Sequence, residues 1–302
     1  MSSRKPVVLG VHQSVAFASM DEAVISIQAC VESARKSEAD LPIMLLFSEL
    51  FLGGYGSGDR LTSDDHTITV PEKSDEGAGS YHGSLWLEPI RAVCRLHRVG
   101  IVFGFSERVA VDDGDDKPSL RHYNSAMAIG DDGAILAVYR KVHLWGGYES
   151  TYFSPWNDLQ RGCFDFHGVS CGMLICFDVE FPESVRTLRL RGVEVVLVPT
   201  ALTNSFNARV TVPSRSFENG CVVCYANNAG VDPSMPSVQY CGLSVVALPD
   251  GSEGCRMPQS SSTTFGTCVV DLDGEAIRES RARNDYLAAR RPDLYTTVPT
   301  TI

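Results

Sequence analysis

Val169-Ser170-Cys171-Gly172-Met173-Leu174-Ile175-Cys176-Phe177-Asp178-Val179-Glu180-Phe181-Pro182-Glu183 changes character in its middle. The first half is an apolar, strand-like run. The second turns polar at Asp178 and opens a helix at Pro182, where the missing N–H is harmless. The break falls at Cys176, so a thiol is expected on a strand-to-helix turn, lifted clear of a sheet. Two other strand-like runs end in charge: Ile43-Met44-Leu45-Leu46-Phe47-Ser48 reaches Glu49, and Ala134-Ile135-Leu136-Ala137-Val138-Tyr139 reaches Arg140-Lys141. A carboxylate, an ammonium and a thiol at three strand ends are the parts needed to attack a carbon bonded to nitrogen.

Working outward, short β-branched runs alternate with helical patterns. Val7–Val11, Ile43–Phe47, Gly100–Phe105, Ser125–Ile129 and Ile135–Tyr139 read as strands, with Asp131-Asp132-Gly133 as a hairpin turn between the last two. Val193–Val198, Cys221–Tyr225, Leu243–Leu248 and Thr267–Leu272 continue the series. Asp21–Ala39 reads as a helix with Ala23, Ile27, Val31 and Ala34 on one face. Ser84–His97 and Pro182–Arg191 read as two more. Thr62–Gly79, Asp112–Ser119 and Asp232–Ser237 read as surface loops, and Gly254–Thr264 as a mobile Ser/Thr-rich segment. The pattern predicts an α/β fold with a mixed sheet buried against helices, in a single domain.

The 302 residues are 44% hydrophobic and 21% charged, enough to bury a sizeable core without staples. A net charge of −11 argues against nucleic acid and anionic membranes as partners, and mildly favours neutral or cationic small molecules. The ten cysteines lie mostly inside apolar stretches, and His12-Gln13-Ser14 interrupts the only leader-like N-terminal segment. Both features suggest a reduced, cytoplasmic protein.

Several motifs point elsewhere and fail on context. Gly168-Val169-Ser170-Cys171-Gly172 fits G-x-S-x-G, but Ser170 precedes its strand instead of following it. Cys221-Val222-Val223-Cys224 has no second pair to complete a zinc set. Gly53–Gly58 lacks both the dinucleotide spacing and the ending of a phosphate loop. No metal and no cofactor are expected. Cys176 alone could be a small buried hydrophobe, Glu49 a strand-end ion pair and Lys141 an exposed lysine; together they are harder to dismiss. A helix N-terminus beside Cys176 is expected to lower its pKa.

At these residues the chain resembles the nitrilase superfamily, the carbon–nitrogen hydrolases. Phe47-Ser48-Glu49-Leu50-Phe51-Leu52-Gly53-Gly54-Tyr55 is similar to that family's glutamate motif, Tyr139-Arg140-Lys141-Val142-His143-Leu144 to its lysine motif, and Leu174–Glu183 to its cysteine motif. His143–Gly146, Phe153-Ser154-Pro155, Val179–Glu183, Val198-Pro199-Thr200-Ala201, Arg215, Glu218-Asn219 and Tyr225–Asn227 resemble most the aliphatic amidase branch that includes 5-aminopentanamidase. Trp156, where a glycine is common, and the insertion-like Asp232–Ser237 depart from that pattern.

The resemblance implies a four-layer α-β-β-α sandwich when dimerised, with a hydrolase domain over residues 1–280, a tail over 281–302, and a homodimer or higher homo-oligomer. It implies Cys176 as nucleophile, Glu49 as general base and acid, Lys141 as cation for the tetrahedral intermediate, and Glu149 as a second glutamate positioning Lys141 or water. Tyr55, Phe177 (through its backbone N–H), Thr200 and Ala201 are the implied substrate contacts. The expected reaction is hydrolysis of a small aliphatic amide to carboxylate and ammonia through a thioester. An N-carbamoyl amine or a nitrile on the same site is the alternative, and a cysteine hydrolase with His143 as base is a third.

Overall fold

The computed structural model describes residues 4–17, 19–37, 40–56, 58–64, 67–70, 86–111, 119–259, 263–283 and 285–295. The first half contains β1 (Val7–Gln13), α1 (Met20–Ser37), β2 (Ile43–Leu46), β3 (Thr67–Val70), α2 (Leu87–His97), β4 (Val99–Val111), β5 (Ser119–Ile129) and β6 (Ile135–Arg140). The second half contains α3 (Gly146–Tyr152), β7 (Cys163–Phe166), β8 (Val169–Met173), α4 (Pro182–Leu190), β9 (Val195–Thr200) and α5 (Val212–Asn219). It continues with β10 (Val222–Asn227), β11 (Ala229–Asp232), β12 (Met235–Cys241), β13 (Val245–Ala247), β14 (Glu253–Arg256), β15 (Thr264–Val270), α6 (Glu275–Arg283) and α7 (Pro292–Tyr295).

Two mixed sheets form the centre. One runs β15-β1-β2-β4-β5-β6 with β3 beside the later part of β4; the other runs β14-β13-β10-β9-β8-β7. Within them β1, β2 and β4 are parallel, as are β8, β9 and β10. Of these six, β1, β2, β9 and β10 are buried along their whole length, as parallel strands covered on both faces are, while β4 becomes half-buried toward its end and β8 carries a half-buried Ser170. The inner faces pack through β1, β2 and β4 against β9, β10 and β13.

Helices close the outer faces. α1 carries acidic residues in its first turn and basic residues in its last, complementing its dipole. Its buried stripe of Ala23, Ile27, Val31 and Ala34 packs with Ile90, Val93 and Cys94 of α2 on the first sheet. Val185 and Leu188 of α4 and Val212 of α5 belong to the core of the second sheet. All four layers are complete within one chain, without a second copy.

The sequence-based elements shift in detail. Pro89 lies in the first turn of α2, which starts at Leu87; residues 81–85, the expected start, lie outside the described residues. The expected loop 62–79 contains β3, and residues 71–79 and 112–118 of the expected loops lie outside the described residues. Asp232–Ser237 is no plain surface loop: it spans the turn and adjoining strand ends of the β11–β12 hairpin, a separate two-stranded sheet with Asp232 fully buried. Edge strand β14 (Glu253–Arg256) pairs with β13, so backbone ladder bonds hold the start of the segment expected to be mobile; its residues 260–262 lie outside the described residues. The 280/281 boundary falls inside α6, where Arg281 donates to the Gly220 carbonyl at 2.8 Å. No helix among the described residues is long and apolar enough to cross a membrane.

Candidate active site

Glu49, Lys141 and Cys176 follow β2, β6 and β8, and Thr200 ends β9, so four strands from both sheets deliver their C-terminal ends to one place. The sheets are tied there directly. The Glu49 backbone N–H donates to the Thr200 carbonyl at 3.3 Å, and the Ser48 hydroxyl donates to Asn228 Oδ1 at 2.6 Å. The chain carrying Glu49 crosses so close over β4 that a Cβ on Gly104 would lie 2.8 Å from the Glu49 Cα, which explains a glycine inside that strand.

Strand alternation separates the two adjacent cations at the end of β6, Arg140 within it and Lys141 just after it. Arg140 turns to Glu107, donating at 2.7 and 2.9 Å, and lies over the rings of Tyr123 and Trp156 at 4.4 and 4.6 Å. Lys141 turns inward and is 1% exposed. Its Nζ donates to Glu49 Oε1 and to Glu149 Oε1, both at 2.6 Å. Burial opposes the charge on Lys141, but the carboxylates of Glu49 and Glu149 outweigh it and hold the ammonium above the ordinary lysine range. Trp156, the departure from the family pattern, donates its backbone N–H to the Lys141 carbonyl at 3.0 Å.

Both glutamates are fully buried. Glu149 sits in the first turn of α3, where its Oε2 accepts the Trp145 backbone N–H at 2.7 Å and its Oε1 also accepts the Tyr55 hydroxyl at 2.7 Å. Glu49 Oε1 also accepts from Asn124 Nδ2 at 2.8 Å. Its Oε2 is buried and has no hydrogen-bond partner among the described residues. Burial, relieved in part by Lys141 and reinforced by Glu149, pushes the Glu49 carboxyl up to about 7.

Cys176 adopts φ +45°, a left-handed backbone that a side-chain-bearing residue takes only when its surroundings enforce it. The enforcing group is Asp178. Its Oδ2 accepts the Ile175 N–H at 3.0 Å and the Tyr139 hydroxyl at 2.8 Å. Its Oδ1 accepts the His143 N–H and His143 Nδ1, both at 2.8 Å. One buried carboxylate therefore clamps the cysteine turn to the segment that bears Lys141. His143 is taken up by this clamp and stacks on Phe181 at 4.1 Å.

The expected lowering of the Cys176 pKa is not found. Burial and the neighbouring Glu49 push the thiol well above its ordinary range, although Lys141 and the Ala201 backbone N–H pull the other way. A single 3-10 turn at Cys176–Glu180 is too small a dipole to outweigh a carboxylate. The thiol is thus protonated at rest and needs a base to react.

Beside Cys176 lies a cavity of about 200 Å³. Tyr55, Trp145, Tyr148 and Tyr240 give it aromatic walls, and Ala201, Leu202, Met235 and Val238 complete its apolar lining. Among the implied substrate contacts, Tyr55 and Ala201 line the cavity. Phe177 and Thr200 lie outside its lining: Phe177 packs edge-on against Phe181 at 5.0 Å, and the Thr200 hydroxyl turns back to the Val198 carbonyl at 3.2 Å. Asn124, Asp178, Trp145, Tyr148 and the β12 residues were missed from sequence. Asn124 had a usable signal, because the β5–β6 register pairs Ser125 with Arg140 and so sets Asn124 against Lys141.

The decoys resolve as structure. Ser170 lies within β8, and Cys221 and Cys224 are fully buried at β10. Among the described residues no group of three or more His, Cys, Asp or Glu is placed to hold a metal ion.

Residues 13–282 match the family model described as carbon-nitrogen hydrolase. A curated relative from Pseudomonas protegens, "Hydrolase in pqqF 5'region", is 35% identical over 86% of this chain and 80% of its own. The "(R)-stereoselective amidase" of Pseudomonas sp is 30% identical over 82% of this chain and 79% of its own. Among solved structures, a carbon-nitrogen hydrolase from Helicobacter pylori G27 superposes with TM-score 0.76 at 22% identity, covering 97% of each chain, and shares the fold.

Proposed function

The chain belongs to the carbon–nitrogen hydrolase family, and from that premise we propose that it cleaves a small aliphatic amide to a carboxylate and ammonia through a thioester on Cys176. The observation that carries this reading is the division of labour at Glu49. One oxygen is fixed by Lys141 and Asn124, while the other is buried and unpaired among the described residues. A carboxylate so held, with its pKa near neutrality and beside a protonated thiol, suits a group that must take a proton and return it.

In the proposed reaction the sulfur–carbon bond forms as the thiol proton passes to Glu49 and the carbonyl electron pair moves onto oxygen. Lys141 and the Phe177 backbone N–H hold that oxyanion, each donor contributing roughly 2.7–4 kcal/mol. Collapse restores the carbonyl and breaks the C–N bond while Glu49 protonates the departing nitrogen, releasing ammonia. Glu49 next deprotonates a water that adds to the thioester; the C–S bond breaks, and the proton returns to sulfur. Glu149 fixes Lys141 from the second side, so the ammonium need not reorganise as charge develops. The reading includes pairing with a second copy, which sedimentation velocity tests.

The experiment is ammonia release from amides, ω-amino amides, N-carbamoyl amines and nitriles, with wild type and Cys176→Ala. Turnover of a simple amide that disappears in Cys176→Ala supports the reading. Carbon dioxide appearing with the ammonia would move the assignment to carbamoyl amines, and turnover retained by Cys176→Ala would end it.

A further inference from the structure

We propose that the acyl group taken by this site is a neutral hydrocarbon about the size of a benzene ring or a six-carbon chain; the inference rests on the amidase reading above. The wall beside Cys176 contains three tyrosines, which could make it polar, but each hydroxyl is already engaged by another group of the protein. Tyr55 donates to Glu149 at 2.7 Å, Tyr148 to the Tyr55 carbonyl at 3.0 Å, and Tyr240 to Asp232 at 3.0 Å. Ring surfaces are therefore most of what the wall offers, joined by Met235 and Val238 from β12, with Thr203 adding one neutral hydroxyl.

Asp232 is the nearby carboxylate that could have received a cationic substrate tail. It is fully buried and already accepts from the Tyr240 hydroxyl and from the Ser234 hydroxyl and N–H at 2.6 and 2.9 Å. It also lies against Gly56, where a Cβ would sit 2.7 Å from its Oδ2. No lining residue among those described carries a charge. An ammonium or carboxylate on the acyl chain would lose water here without gaining a partner.

Size follows from volume. An apolar cavity of about 150 Å³ holds one benzene ring, so about 200 Å³ accommodates such a group together with the carboxamide beside Cys176. Met235 belongs to the insertion-like Asp232–Ser237 segment and Val238 follows it on the same strand.

The test compares hexanamide with 5-aminopentanamide, its near-isostere bearing a terminal ammonium. We expect kcat/KM to rise about fourfold per methylene from propanamide to hexanamide, and to fall roughly a hundredfold for the ammonium compound. Val238→Glu should narrow that ratio at least tenfold. Binding of both compounds to Cys176→Ala by calorimetry gives a readout without turnover, with hexanamide binding tighter. Preference for 5-aminopentanamide in turnover or in binding overturns the inference and assigns the tyrosine faces to a cation. Hexanamide binding without turnover of any amide by the wild type leaves the pocket inference standing and removes the amidase reading. Absence of both binding and turnover removes the two together.

Discussion

Replacing Asp178 with asparagine isolates what holds the cysteine turn. The carboxylate accepts four hydrogen bonds, two on each oxygen, at 2.8–3.0 Å. Asparagine keeps the shape and one oxygen, but its NH₂ must face either the Ile175 N–H or the His143 N–H. Tyr139 and the His143 ring can reorient to suit; a backbone N–H cannot. The variant therefore loses one hydrogen bond to a charged acceptor and orphans one buried donor, together about 2–4 kcal/mol. Part returns as stability, because Cys176 can relax from φ +45°, a strain of about 1–3 kcal/mol.

That relaxation is damaging to activity, since it moves the sulfur relative to Lys141. A misplacement of about 1 Å costs around a hundredfold in rate. Asp178→Asn should accordingly lose about 1–2 kcal/mol in urea unfolding yet about two orders of magnitude in kcat, with KM for the amide little changed. Acylation rates from single-turnover kinetics, set beside unfolding midpoints, measure both. A variant with wild-type kcat would refute the clamp, and one whose activity loss merely follows its stability loss would reduce it to an ordinary buried contact.

Four further outcomes follow from the same geometry. Because Glu49 is raised to about 7, kcat/KM for a neutral amide should fall about tenfold per pH unit below that value. Asn124→Leu should move that limb to higher pH, since the Asn124 amide favours the charged carboxylate; a flat profile from about pH 5.5 to 8 would contradict the assignment. The same raised pKa makes the Glu49 contribution to stability full below the unfolded value of 4.5 and lost as pH rises through about 7, readable as the difference in unfolding between wild type and Glu49→Gln. Lys141→Met leaves two buried carboxylates without their cation, and should cost about 3–5 kcal/mol in unfolding as well as all turnover. Cys221→Ala should keep activity near wild type in the ammonia assay, because that thiol is fully buried and burial pushes it up to about 12.

The fold was legible wherever strands are buried on both faces, because such runs are continuous and end abruptly in charge. That is why β2 and β9 could be read from sequence, whereas β6, whose residues alternate between buried and half-buried, was readable from its apolar run and the charge that ends it. What escaped depends on partners distant in the chain. Asp178 stood inside a quoted motif, yet only the arrival of Tyr139 and His143 reveals it as a clamp. Asp232 reads as a turn-forming polar residue, and its burial becomes visible only once Tyr240 and Gly56 close around it. The thiol's raised pKa was misjudged from sequence because a local dipole was weighed without the carboxylate that another strand brings beside it.

The most direct measurement is the mass of the Cys176-containing peptide after acid quench of a reaction with hexanamide. The account predicts an acyl increment on that cysteine, appearing within the first turnover and absent from Cys176→Ala. Steady ammonia release with the peptide unmodified throughout, or the increment on another residue, would contradict it.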